Sequence, residues 1–195
     1  MDNQFVSRGG IKLQAAIENW KLKIENLAVL DVGSSTGGFV DCLLQNGAQK
    51  VYALDTAYGE LAWKLRNDPK VVVTERTNIL HLDKLPSSVI PARRDDDSKV
   101  DIVTIDAGWT KLELILPIVK KFLKPEGLII ALLKPHYEAE KKDLIKGVLP
   151  PDKAKKVKEQ VIKKINDSGF KIYEQMESPI LGGAGNSEYL LLLKL

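Results

Sequence analysis

Residues 28–39 read Ala-Val-Leu-Asp-Val-Gly-Ser-Ser-Thr-Gly-Gly-Phe, and the rest of the chain can be placed around this stretch. A short apolar run ends at Asp31, a glycine-rich turn follows, and residues 39–44 continue with a helical pattern. A buried strand, a glycine turn and a helix are the first half of a βαβ unit. Glycine lets a backbone approach a ligand because no Cβ intervenes, and the N–H groups at a helix start remain free for polar ligand atoms. The stretch therefore predicts a ligand-binding turn.

The turn matches neither of the two common phosphate-binding patterns. The dinucleotide fingerprint needs a glycine two positions after Gly33, where Ser35 stands. Gly33 and Gly38 have the spacing of a P-loop, but Phe-Val follows where that loop has Lys-Ser or Lys-Thr. The carboxylate of Asp31 suits a cationic ligand instead. S-adenosylmethionine (SAM), which carries a sulfonium and an ammonium group, is such a ligand.

A second carboxylate stands where an adenosine ribose would be bound. Residues 50–55 predict the second strand, and Asp55 at its end stands twenty-two positions after Gly33. A carboxylate at that place can accept hydrogen bonds from both ribose hydroxyls. The pattern favours SAM and leaves NAD-like or other adenosine ligands as the alternative, because acidic second-strand ends serve both.

Length and composition indicate one globular domain. The chain has 195 residues, of which 44% are hydrophobic and 28% charged. No apolar run approaches the roughly 18–20 residues of a membrane span, and the first residues contain no apolar signal core. The single cysteine, Cys42, excludes an internal disulfide, falls on the apolar side of the predicted helix and favours a cytoplasmic compartment. Residues 134–171 hold eleven lysines against six acidic residues, which fits either RNA phosphates or a solvated helix face.

Strand and helix patterns alternate along the chain. After the first two strands, further strands are predicted at residues 71–73, 100–105, 128–133, 170–176 and 189–195. Helices are predicted at residues 7–20, 39–44, 61–65, 112–123 and 152–165, the last with Asp152 as its cap and the fourth closed by a turn at 124–127. The order predicts an α/β fold with a mostly parallel, seven-stranded, doubly wound sheet and an antiparallel edge hairpin. Residues 86–99, rich in proline and charge, predict a solvated, mobile loop.

Four charged residues fall where such a sheet gathers its ligands, beyond the carboxyl ends of its strands. Asp106 ends the fourth strand and Lys134 the fifth, Glu188 begins the last strand, and Lys12 lies on a helix that can pack over the same edge. Taken singly, each is better explained as a surface charge or strand-end cap. Together they suit methylation of a weakly acidic hydroxyl, because a desolvated lysine can accept a proton and a second cation can stabilise a developing alkoxide.

The chain resembles the TlyA (haemolysin A) type of FtsJ-like ribose 2′-O-methyltransferases. The resemblance covers nearly the whole chain, in the blocks 5–13 (FVSRGGIKL), 31–39 (DVGSSTGGF), 58–66 (YGELAWKLR), 75–78 (ERTN), 134–138 (KPHYE) and 185–189 (GNSEY). It implies a Rossmann-like class I SAM-dependent methyltransferase fold, SAM as cofactor and RNA, expected to be ribosomal RNA, as substrate.

The resemblance also implies roles for individual residues. The family's Lys-Asp-Lys-Glu tetrad would fall on Lys12, Asp106, Lys134 and Glu188. In that arrangement Lys134 assists deprotonation of the 2′-hydroxyl, oriented by Asp106 and Glu188, and Lys12 stabilises the oxygen. The implied cofactor-binding residues are Asp31, Gly33, Ser34, Ser35, Thr36, Gly37, Gly38, Phe39, Asp55, Thr56, Asn78 and Asp106. No metal site is expected, because His81 and His136 are far apart and cysteine is single.

The chain departs from the family pattern in two places. Members usually carry an S4-type RNA-binding domain before the Ser-Arg-Gly-Gly block, and this chain begins just before that block, so we expect residues 1–195 to form a single methyltransferase domain without an S4 domain. Asp106 is followed by Ala-Gly-Trp where members typically have Val-Ser-Phe. Trp109 can stack on an acceptor base or be a covered core tryptophan.

Three other functions fit parts of the pattern. An amino-group methyltransferase generally places an Asn/Asp-Pro-Pro-aromatic turn after strand four, and residues 106–109 contain no proline. A catalytically idle RNA-binding or haemolysin-like protein would not need all four tetrad residues, and no amphipathic membrane segment is evident. A nicotinamide dehydrogenase would need a different glycine pattern. The sequence does not indicate an oligomeric state.

Overall fold

The computed structural model describes residues 4–86 and 99–194, so the loop predicted at 86–99 lies, except for its two end residues, outside the described residues. Within these ranges the strands are β1 (Ala28–Val32), β2 (Lys50–Leu54), β3 (Val71–Thr74), β4 (Val100–Ile105), β5 (Leu123–Leu133), β6 (Lys171–Glu177) and β7 (Tyr189–Lys194). The helices are α1 (Gly9–Asn19), α2 (Gly38–Gln45), α3 (Trp63–Arg66), α4 (Leu112–Val119), α5 (Pro135–Glu138) and α6 (Pro151–Asp167).

The seven strands form one sheet in the order β3-β2-β1-β4-β5-β7-β6. Strands β1 to β5 are parallel, and β7 runs antiparallel to both β5 and β6. The predicted fold class is therefore confirmed, including the antiparallel hairpin at one edge. The chain proceeds outward from β1 to β3 and then crosses to β4, so the order reverses between β1 and β4. The crevice beyond the carboxyl ends of these two strands is the expected ligand site.

Successive side chains of each strand enter two separate apolar layers, because they point to opposite faces of the sheet. Leu30 and Ile105 pack in the layer that contains α4 and α6. Val29 and Ile102 pack in the layer that contains α1 and α2, together with the buried Cys42. Since helices cover both faces, β5 can carry the continuous apolar run that the sequence shows.

The boundary between α4 and β5 differs from the prediction. The helix ends at Val119, a 3₁₀ turn covers Lys120–Phe122, and β5 already begins at Leu123. Pro117 lies inside α4, where its missing N–H leaves the carbonyl of Glu113 without the usual intrahelical donor and weakens the turn before it. Leu123 is buried opposite Val100, and a register shift between Val100 and Ile102 accommodates the residues predicted as a turn.

The start of α6 also differs from the prediction. The helix begins at Pro151, and Asp152 lies in its first turn instead of capping it. Proline is suited to the first helical position because the N–H that it lacks would have no intrahelical partner there. The following face, with Ala154, Val161 and Ile165 buried, is as the periodicity predicts.

Candidate active site

A cavity of about 550 Å³ lies at the carboxyl ends of β1, β2 and β4. The predicted residues that line it are Lys12, Gly33, Ser34, Ser35, Thr36, Gly38, Phe39, Asp55, Thr56, Asn78, Asp106 and Lys134. Three predicted residues, Asp31, Gly37 and Glu188, do not line it. The reversal of strand order thus places most of the candidate residues around one opening.

The four residues of the candidate tetrad form two ion pairs. Lys12 Nζ lies 2.5 Å from Glu188 Oε2, with the two side chains 10% and 3% exposed. Lys134 Nζ lies 2.6 Å from Asp106 Oδ1, with exposures of 15% and 22%. Glu188 therefore contacts Lys12, whereas we expected it to orient Lys134.

The two pairs act on each other electrostatically. Desolvation is the largest influence on Asp106 and raises the pKa of its carboxyl above the ordinary value. Lys134 and, more weakly, Lys12 oppose this rise, while the charge of Glu188 adds to it. The charge of Asp106 thus depends on both lysines, so the four residues form one ionic cluster.

Close backbone packing brings α1, and with it Lys12, over the edge of the sheet. A Cβ on Gly38, at the start of α2, would lie 2.9 Å from the backbone nitrogen of Gly10 and would overlap Ser7 Oγ. A Cβ on Gly10 would in turn overlap the buried ring of Phe5. Larger side chains would not fit in this part of the Ser-Arg-Gly-Gly block, because α1 and α2 approach each other there almost backbone to backbone.

The glycines of the turn after β1 are required by the protein's own packing. Gly33 has a φ of +85°, and a Cβ there would lie 2.8 Å from the carbonyl oxygen of Asp106. Gly37 has a φ of +98°, and a Cβ there would overlap the side chain of Leu65. The protein's own packing is therefore sufficient to exclude larger residues at these two positions, in addition to the ligand approach from which we predicted the glycines.

The surroundings of Asp55 fit an adenosine ribose. Its Oδ2 accepts a hydrogen bond from the backbone N–H of Ser35 at 2.7 Å, and its Oδ1 accepts one from Ala57 at 2.8 Å. Each carboxylate oxygen has a further lone pair, so two hydroxyls can still donate to it. Asn78, beside it in the cavity wall, accepts from the N–H of Leu80 and begins a 3₁₀ turn.

Asp31 is fully buried beneath the cavity instead of lining it. Its Oδ1 accepts a hydrogen bond from the Thr104 hydroxyl at 2.6 Å, and its Oδ2 has no partner among the described residues. Desolvation, with smaller contributions from the charges of Asp106 and Asp55, raises the pKa of Asp31 to about 7. Asp31 therefore lies below the cavity surface at which we expected it to contact a cationic ligand.

A second cavity, of about 510 Å³, adjoins the first through Trp109. Trp109 is 82% exposed and its ring centroid lies 5.1 Å from that of Tyr137, so the interpretation as a covered core tryptophan is wrong. His136 lies 4.2 Å from the Tyr137 ring, and burial lowers its pKa. His136 and Tyr137 line this second cavity, and the sequence analysis did not single them out, although they follow Lys134 and Pro135 in the block 134–138.

The part of the chain that the structure describes contains neither a membrane-spanning helix nor a cluster of metal-binding side chains. In residues 4–86 and 99–194, no helix is long and apolar enough to cross a bilayer. In the same ranges, no group of three or more His, Cys, Asp or Glu side chains is arranged to hold a metal ion.

The sheet order, its antiparallel β7 and the cavity at the switch point define a Rossmann-like class I methyltransferase fold. The FtsJ-like methyltransferase family model matches residues 5–195, and the chain belongs to this family. SAM is the methyl donor of such enzymes.

The relatives include proteins named for ribosomal RNA methylation. A proposed rRNA methyltransferase of Bacillus subtilis, YqxC, is 40% identical over 97% of this chain and 66% of its own length. The 16S/23S rRNA (cytidine-2′-O)-methyltransferase TlyA of Mycobacterium tuberculosis is 35% identical over 99% of this chain and 69% of its own length. A solved structure of a proposed haemolysin from Lactococcus lactis has a TM-score of 0.86 at 39% identity, covering 97% of this chain and 88% of that chain. The chain thus spans about two thirds of the length of the first two relatives.

Proposed function

We propose that this protein transfers the methyl group of SAM to a ribose 2′-hydroxyl of ribosomal RNA. In this proposal Lys12, Asp106, Lys134 and Glu188 form the catalytic tetrad. The observation that carries it is the pair of lysine–carboxylate contacts, Lys12 with Glu188 at 2.5 Å and Lys134 with Asp106 at 2.6 Å, beside the cofactor-sized cavity. The naming of a relative as a 16S/23S rRNA (cytidine-2′-O)-methyltransferase supports the choice of acceptor.

The cavity has the groups that SAM requires. Asp55 would accept hydrogen bonds from the ribose hydroxyls, and Asn78 would lie near the adenine. The free N–H groups at the start of α2 would face the carboxylate of the methionine part. When bound, SAM supplies an electrophilic methyl group for in-line attack. Asp31, two residues before Gly33, would act through its buried charge beneath the turn, without touching the ligand.

The two lysines would have different roles at the acceptor hydroxyl. Lys134, held by Asp106, would assist removal of the proton from the 2′-oxygen. Lys12, held by Glu188, would stabilise the negative charge that develops on that oxygen. Methylation of a weakly acidic hydroxyl requires both removal of the proton and stabilisation of the negative charge, whereas methylation of a planar amine requires neither lysine. The absence of proline in residues 106–109 also disfavours the amino-group alternative.

The exposed Trp109 and the half-buried Tyr137, which lie beside Lys134, would hold the acceptor base. Trp109 and Tyr137 lie with an interplanar angle of 42°, and Lys134 Nζ is 5.6 Å from the centre of the Tyr137 ring. An unpaired RNA base can stack on such rings. A base held there would bring its own ribose to the mouth of the cofactor cavity.

The test is methyl transfer by Lys134→Ala, with Lys124→Ala as the matched control. Lys124 also pairs with a strand aspartate, Asp101 at 2.7 Å, but at the opposite end of the sheet. We expect Lys134→Ala to lose at least about 100-fold in kcat, in the range of general acid–base catalysis, with SAM affinity within about threefold of the wild type. Lys124→Ala should remain fully active. Full transfer by Lys134→Ala would refute the tetrad mechanism, and SAM binding without any transfer by the wild type would favour an idle RNA-binding protein.

A further inference from the structure

We propose that Lys146 binds a backbone phosphate of the RNA next to the acceptor nucleotide. The inference rests on the proposed function in taking RNA as the substrate. It assigns a role to part of the lysine-rich stretch 134–171, which the tetrad and the cofactor cavity leave unexplained apart from Lys134.

Lys146 lies at the tip of a tight two-residue turn. The N–H of Ile145 donates to the carbonyl of Val148 at 2.8 Å, and the N–H of Val148 donates back at 3.0 Å. Between them Lys146 and Gly147 have φ values of +50° and +82°, as in a type I′ turn. Asn-Gly is the favoured pair in such a turn, and a lysine is disfavoured there because its Cβ crowds the backbone at positive φ. Local turn chemistry therefore does not explain the lysine.

Backbone strain of this kind is concentrated around the candidate active site. Seven described residues other than glycine have positive φ, and five of them lie in the loops that form or adjoin the two cavities: Ser35, Arg76, Trp109, Lys146 and Ala184. The other two, Lys21 and Asn26, follow α1 and precede β1. Strained backbone conformations are concentrated at functional sites, where the function of the site requires them. The position of Lys146 in this set therefore indicates a functional side chain.

Asn186 fixes the Lys146 turn to the active site. Its buried side chain accepts a hydrogen bond from the N–H of Leu149 at 2.9 Å and donates to the carbonyls of Gly147 and Gly183, both at 3.0 Å. Asn186 lies two residues before Glu188 of the tetrad. The turn is therefore held at a defined place relative to the reacting groups, as a phosphate contact requires.

The charge of Lys146 is available for a ligand. The side chain is exposed and makes no ion pair with any residue in 4–86 or 99–194, unlike Lys142, which pairs with Glu140, and Lys153, which pairs with Asp143. Gly147, next to it, lines the second cavity together with Trp109 and Tyr137. A nucleotide whose base stacks on these rings would extend its backbone past this turn. The exposed ammonium group of Lys146 would then lie close to a backbone phosphate.

The experiment compares Lys146→Asn with Lys21→Asn in the full chain. Both changes remove one exposed lysine and relieve the same positive-φ strain, but Lys21 follows α1, outside both cavities. Binding of labelled total ribosomal RNA is measured by filter retention over a series of salt concentrations. Because each phosphate contact releases counterions, Lys146→Asn should bind more weakly and reduce the slope of log K against log salt by about one. Lys21→Asn should match the wild type, Lys146→Arg should retain binding, and both asparagine variants should unfold at a slightly higher temperature than the wild type.

Equal binding by Lys146→Asn and the wild type would overturn the inference, as would an equal loss in both asparagine variants, which would indicate a general charge effect. Failure of the wild type to retain ribosomal RNA would also overturn it. Methyl transfer is measured in parallel. RNA binding that depends on Lys146, without 2′-O transfer by the wild type, would contradict the proposed function and leave the phosphate contact supported.

Discussion

Lys12 Nζ lies 2.5 Å from Glu188 Oε2, although the two residues are 176 positions apart, one on the first helix and the other immediately before the last strand. Both side chains are nearly inaccessible to solvent. The contact joins the two ends of the described chain directly beside the Lys134–Asp106 pair. The candidate site is therefore complete only when the whole sheet and α1 have assembled.

Removing one member of this buried pair should destabilise the protein, and removing both should not. Glu188→Met leaves the Lys12 charge without a partner, which costs roughly 3–5 kcal/mol in buried pairs. The double variant Lys12→Met, Glu188→Met should recover most of that stability, measured by urea unfolding. Methyl transfer should be lost in both variants. Recovery of activity together with stability in the double variant would show that the pair is only structural.

Gly37→Ala should be much more destabilising than Gly59→Ala. Both glycines have positive φ, +98° and +77°, so alanine is strained by about 1–2 kcal/mol at each position. Only at Gly37 would the new Cβ also overlap Leu65, whereas nothing lies within 4 Å at Gly59. Overpacking adds about 1–3 kcal/mol, which urea unfolding of the two variants would resolve. Equal losses would contradict the packing assigned to the glycine turn.

Asp31→Asn should stabilise the protein at high pH and change little at low pH. The folded state raises the pKa of Asp31 from 3.8 to about 7, so between these values the folded protein holds a proton that the unfolded chain has released. The contribution of Asp31 to stability is therefore fully present below about pH 4 and is lost as the pH rises to about 7. The variant should gain roughly 2–4 kcal/mol over the wild type at pH 8. A gain that does not depend on pH would show that folding leaves the pKa of Asp31 at its ordinary value, and would contradict the effect of burial.

Trp109→Ala should raise the KM for RNA without changing the affinity for SAM. Stacking of a base on an aromatic ring is worth about 1–3 kcal/mol, so KM for RNA should rise by roughly 5- to 100-fold. Trp63→Ala is the matched control, because Trp63 is 77% exposed but lies at the start of α3, outside both cavities. An unchanged KM in Trp109→Ala would place the acceptor base elsewhere.

Most of the fold could be predicted from residues 28–39 and the alternation of patterns that follows. Strand β4 has the predicted bounds, and the other strands differ by one or two residues except at β5. The start of β5 was missed because Lys124 to Gly127 has the composition of a turn, whereas its strand conformation depends on pairing with β4. That pairing cannot be predicted from the residues of the segment alone.

The candidate site was predictable as a set of residues but not as a set of contacts. Strand-end position brought Asp106 and Lys134 together in the prediction, because neighbouring parallel strands end at one edge. The partner of Glu188 could not be predicted, because it depends on how closely α1 packs on α2. The exposure of Trp109 likewise follows from a loop with a φ of +67°, which residue type alone does not indicate.

Methyl transfer to a ribose oxygen is tested by alkaline hydrolysis of RNA that has been methylated with labelled SAM. Alkali cannot cut beside a methylated 2′-oxygen, because that oxygen is the internal nucleophile of the cleavage. With the wild-type chain and ribosomal subunits or total RNA, we expect label in alkali-resistant dinucleotides, and with Lys134→Ala we expect none. Label in mononucleotides would place the methyl group on a base and contradict the account.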